Sequence, residues 1–162
     1  MNSTQLFRRI LTASAVMASV LSMRAATSDT QTLNFTINEV IEFDAIEASL
    51  NFTIASFDAS GVGLNNQTGH YKLLCNANAA QKITVALDSA MPANTGLDIA
   101  MVTPPGATHV GPVNNVGTTA TDIVTGVGKV NVIANDINYS FHATVLAATG
   151  AFTRTVTFSV VP

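Results

Sequence analysis

Three histidines, one cysteine and a tight group of acids are the residues here that could do chemistry. His70, His109 and His142 fall in separate segments. No two have the spacing of a metal-ligand pair, so no metal site is expected from them. His142 sits on the polar face of an alternating run, where a solvated or hydrogen-bonded role is expected. Asp58-Ala59-Ser60-Gly61 superficially matches the start of a calcium loop. It has no second acid at alternating spacing and no closing Glu, so it reads as a turn. Glu39, Glu42, Asp44 and Glu47 fall within nine residues. Two of them could form an acid/base pair, but nothing apolar or basic nearby marks a site, and the group reads as a solvated acidic edge that discourages wrong strand pairing. Cys75 is in phase with Tyr71 and Leu73 and reads as a small core residue, with a reactive thiol or an intermolecular bridge as the competing role. No nucleophile elbow, phosphate loop, dinucleotide fingerprint or zinc helix is found. No catalytic residue, cofactor or metal is therefore expected, and the chain does not read as an enzyme.

Of 162 residues, 48% are hydrophobic and only 10% charged, against about a quarter charged in ordinary soluble domains. That balance excludes intrinsic disorder. One Cys cannot staple a scaffold. The polar surface instead draws on 21 Thr and 14 Asn. Residues 1–26 read as a secretory signal: Arg8 and Arg9, then an uncharged, mostly apolar run from Ile10 to Met23, then Ala25 and Ala26. The apolar run is shorter than the about 20 residues of a membrane span, so no integral span is expected after cleavage. Removing the signal leaves four basic residues against ten acids, a net charge of −6. Nucleic acid and anionic lipid are disfavoured as partners.

The rest of the chain alternates apolar and polar residues, the pattern of strands with one buried face. The runs are Leu33–Ile37, Leu50–Ile54, Ile83–Leu87, Leu97–Met101, Val130–Val132, Ile137–Val145 and Phe152–Val160. Turn chemistry separates them at Asp58–Gly61, Asn65–Gly69, Pro92–Gly96 and Pro104–Gly106. Asn76 to Gln81 offers one short helical turn at most. Eight or nine short strands predict an all-β, immunoglobulin-like Greek-key β-sandwich over residues 39–162. Thr suits the wet side of such strands because it is β-branched yet polar. Five Asn-x-Ser/Thr triplets begin at Asn2, Asn34, Asn51, Asn66 and Asn138. A chain this rich in Asn and Thr forms such triplets by chance, and three of them fall mid-strand.

Leu33, Phe35 and Ile37 run into Val40-Ile41-Glu42-Phe43-Asp44, followed by Leu50–Ile54, Tyr71–Cys75, Gln81–Leu87 and the closing run Gly150–Val161. With the export signal and the lack of a disulfide, this sequence of elements resembles the major subunits of the alpha-type chaperone–usher fimbriae, the colonisation-factor class. The resemblance covers residues 30–162. It implies an incomplete sandwich completed by donor-strand exchange, in which an extended peptide adds a strand to an open sheet edge. The N-terminal extension, residues 27–38, would be the donor strand, with Leu33, Phe35 and Ile37 as its plugs. Phe152, Val156, Phe158 and Val160 would line the groove and form the strand that pairs with the chaperone. The implied partners are a periplasmic chaperone, an outer-membrane usher and other copies of this or related subunits, with export through the periplasm to the cell surface. The residues alone also admit a self-contained sandwich, with Leu33–Ile37 as its first strand, acting as a secreted or surface-associated binding or adhesion module. The sequence names no ligand for it.

Overall fold

The longest alternating run builds the longest strand, but only through an irregularity. Val132 and Ile137 are five positions apart, an odd number, and in a regular strand they would face opposite ways. In the computed structural model, which describes residues 30–162, both point into the core. Register against the neighbouring strand passes from Asn135 opposite Tyr71 to Val132 opposite Leu73. Ile133 and Ala134 thus oppose Lys72 alone, and this β-bulge resets the phase. Two runs become one strand of 15 residues.

Residues Ile37–Pro162 form one unit, which contains every strand among the described residues. The strands are β1 (Ile41–Ala45), β2 (Val62–Cys75), β3 (Gln81–Leu87), β4 (Thr95–Met101), β5 (Thr108–His109), β6 (Thr121–Val127), β7 (Val130–Thr144) and β8 (Val156–Val161). All pairing is antiparallel, in two four-stranded sheets of order β1-β2-β7-β4 and β5-β6-β3-β8. The protein is an all-β sandwich. Tyr71, Leu73, Ile99 and Ile137 from the first sheet and Ile83, Val85, Ile123 and Val124 from the second share one core cluster. Burying each such side chain contributes roughly 1.5–3 kcal/mol.

Three of the four expected turns form. Gly61 N–H donates to Asp58 O, Thr95 N–H to Pro92 O and Ala107 N–H to Pro104 O. Gly61 and Gly106 supply the positive φ, as does Asn94. The fourth is a correction: Asn65–Gly69 lies inside β2, a strand of 14 residues. Its Asn65 and Gly69 serve what packs above them. Leu50–Ile54, expected as a strand, alternates in burial but has no ladder, and residues 76–80 form no helical turn. The expected signal, residues 1–26, lies outside the described residues.

Candidate functional site

β8 has one neighbour. It pairs with β3 from Val161 opposite Lys82 to Val156 opposite Leu87, and its other edge has no partner strand among the described residues. Val156, Phe158 and Val160 turn toward the core but are only half-buried, whereas Ile83 and Val85 on the central strand are fully buried. The difference follows from position, because an edge strand lacks flanking side chains on one side. Phe158 meets Phe43 of β1 at a ring separation of 5.6 Å, and Phe43 stacks on Tyr71 at 5.4 Å. The edges of the two sheets therefore approach through aromatic contact, with no ladder between β1 and β8.

Phe152, expected within this strand, lies in the loop before it and is half exposed. The reason is the polar residues around it. Asp88 accepts from Thr155 N–H at 3.0 Å, and Arg154 donates through Nε to Ala90 O at 2.8 Å. These bonds hold residues 154–155 against the end of β3 and start the strand at Val156.

After β1 the chain crosses the inner face of β2 and β7. Leu50 and Phe52 pack against the core, with the Phe52 ring 6.4 Å from Tyr139 and 6.0 Å from Phe141. Asn65 Nδ2 donates to Thr53 O at 3.0 Å. Gly63 and Gly69 leave the room this cover needs. A Cβ at Gly63 would collide with Ile54 and stand 2.9 Å from Ser56 O, and one at Gly69 would stand 3.2 Å from both Glu47 and Tyr139. Tyr139 is desolvated under the cover and feels the Glu47 charge, which together push its phenol up to about 12.

The three expected plugs are exposed: Leu33 by 63%, Phe35 by 84% and Ile37 by 89%. Residues 30–40 carry no strand, and residues 27–29 of the expected extension lie outside the described ones. At the root of β1, Asn76 binds the chain on three sides. Its Oδ1 accepts from Val40 N–H at 2.6 Å, its Nδ2 donates to Asn38 O at 2.9 Å, and its N–H donates to Val40 O at 3.1 Å.

The acidic group divides on folding. Glu42 and Asp44 occupy the wet side of β1, an edge strand, as expected of an acidic edge. Glu47 instead holds His70, accepting from its backbone N–H at 2.5 Å and lying 2.6 Å from its Nδ1. Those bonds keep the Glu47 carboxyl below its ordinary value and raise the His70 imidazole. Sequence reasoning missed this pair, whose members are 23 residues apart with no local pattern between them. His142 lies 3.7 Å from Asp98 on the outer face of the first sheet. Asp58 Oδ1 accepts from Ser60 N–H and Oγ and from Val62 N–H, the bonding of a turn. Cys75 is buried in the core cluster as a free thiol. Among the described residues no three His, Cys, Asp or Glu side chains could jointly hold a metal ion, and no helix is long and apolar enough to cross a membrane.

Comparison with protein-family models, with curated proteins and with solved structures gave no match.

Proposed function

We propose that this chain is an exported structural subunit of a bacterial surface fimbria that polymerises by donor-strand complementation, in an immunoglobulin-like sandwich lacking one strand. The observation that carries the reading is the unpaired edge of β8, whose apolar residues Val156, Phe158, Val160 and Val161 are only half-buried. Leu33, Phe35 and Ile37 are its complement, three exposed apolar residues at alternate positions in an uncharged stretch. The ladderless segment Leu50–Ile54 adds support, because its strand-like alternation fits a chain whose neighbouring strand is missing. In the fibre the extension of one copy lies along β8 of the next, and a periplasmic chaperone occupies that edge before assembly at the usher. Burying the three plugs contributes roughly 1.5–3 kcal/mol each, with a backbone ladder in addition. Residues 39–162 made alone are expected to be unstable or aggregated and to be rescued by a peptide of residues 27–38. A stable monomer indifferent to the peptide ends this reading.

A second reading is a self-contained surface binding module, favoured by an open depression of about 430 Å³ on the outer face of the first sheet. Asn66, Thr68, Asp98, Asn138, Ser140 and Pro112 line it, amides and hydroxyls with one carboxylate, suited to a polar ligand. It predicts a monomer with saturable binding abolished by Asn138→Leu. Ordered fibres in electron microscopy count against it.

A further inference from the structure

The β1–β2 ladder closes with Ile46 N–H donating to His70 O at 2.9 Å. The N–H of His70 faces the same edge and would lose its partner as the chain turns away. Glu47 supplies one. Its Oε2 accepts that N–H at 2.5 Å, and its Oε1 takes Nδ1 of the same residue at 2.6 Å. One carboxylate thus replaces a strand carbonyl and also binds the ring. Gly69 eases the approach, since a Cβ there would stand 3.2 Å from Oε2. Beyond Glu47 no ladder holds the chain until Asp58 N–H donates to Val62 O, and the polar contact between them is Asn65 Nδ2 on Thr53 O. We infer that Glu47 and His70 form an acid-sensitive latch: protonating Glu47 releases residues 48–57 from the inner face of β2 and β7 while the two-sheet core stays folded. The inference does not depend on polymerisation.

The charges around the latch set its direction. His70 faces Glu47 from the crossing segment and Asp136 from β7, whose Oδ1 is 3.5 Å from Nε2. Glu47 faces His70 and, beneath it, Tyr139. Asp44 of β1 and Lys72 of β2 are the nearest charged pair along the ladder, one pair beyond Ala45 and Tyr71, and Asp58 stands at the far end of the cover. Above the raised value of His70 the ring turns neutral, yet neutral imidazole can still donate from Nδ1, so alkaline release is weak. In acid the carboxyl loses its charge and both bonds weaken together, so the latch opens on the acid side, below the ordinary glutamate value of 4.5.

The test is NMR of the full chain as pH is lowered from about 6 to about 3, following Overhauser contacts of the Phe52 ring with Tyr139 and Phe141. These contacts are expected to be lost while Ile83–Val124 contacts in the second sheet persist, a local opening. Glu47→Gln is expected to lack them already at the higher pH and to show no acid step. His70→Asn, which keeps the acid but removes the imidazolium, is expected to raise the midpoint toward 4.5. Asp58→Asn is expected to keep the step. The inference is overturned if Phe52 contacts persist until Ile83–Val124 contacts vanish, if Glu47→Gln or His70→Asn titrates as the parent does, or if Asp58→Asn alone abolishes the step.

Discussion

β2 and β7 are long enough to be covered twice, and their two ends are covered by different means. At the end holding Tyr71, Leu73 and Cys75 the cover is the second sheet, whose strands are ordered by their own ladders and packed as branched apolar side chains. At the end holding Gly63, Asn65 and Gly69 it is a single ladderless segment, held by Leu50 and Phe52 and by side-chain hydrogen bonds. The first arrangement distributes its stability over many backbone bonds. The second concentrates it in a few residues and can open alone.

Substitutions sharpen that contrast in descending order of effect. Ile83→Ala, a deletion at a fully buried site, is expected to cost about 2–5 kcal/mol in urea unfolding. It should lower the whole cooperative transition. Phe52→Ala removes a half-buried ring and is expected to cost about 1–3 kcal/mol, less than a fully buried Phe would. Tyr139 should then ionise closer to 10, whereas with Phe52 in place the ultraviolet titration of a Tyr71→Phe variant should find it near 12. If Tyr139 titrates normally in that variant, the second cover is open in solution and the comparison fails. Gly63→Ala forces a Cβ against Ile54. An overpacking cost of about 1–3 kcal/mol is expected, and protease sensitivity should rise within residues 48–57 while exchange in β3 and β6 is unchanged.

The smallest effect is the pH dependence of overall stability. Glu47, whose folded value is depressed, adds stability that is present above 4.5 and fades as pH falls through that depressed value. His70, raised in the folded state, adds stability that is complete below 6.5 and fades as pH rises through the raised value. The pair is strongest between 4.5 and 6.5, and thermal melts of Glu47→Gln should lose that maximum.

Sequence periodicity exposed most of the core between the two sheets and only half of the ladderless cover. Ile83, Val85, Leu97, Ile99 and Met101 were legible because each strand there buries one face, and alternation is what burial writes into a sequence. Leu50, Phe52 and Ile54 carry the same signature, but alternation records burial and says nothing of hydrogen bonding, so a ladder was expected where none forms. Asn65–Gly69 misled for a related reason. Asn and Gly favour turns, yet here the glycines give clearance and Asn65 reaches a carbonyl of the cover. The β7 bulge hid because one extra residue inverts the count. On the candidate edge, Val156, Phe158 and Val160 were legible, while the true start of β8 was set by Asp88, far away in sequence.

The lone thiol gives the molecule a built-in clock. Cys75 stands opposite Ile41, the first pair of β1, beside the Asn76 clamp, with its sulfur shut inside. A small thiol reagent is expected to reach it when the root of β1 lifts from β2, so the labelling rate should follow how often the strand that carries the N-terminal segment lets go. Because there is one cysteine in 162 residues, the signal needs no deconvolution. Asn76→Ala should make that clock run faster without altering the sandwich it reports on.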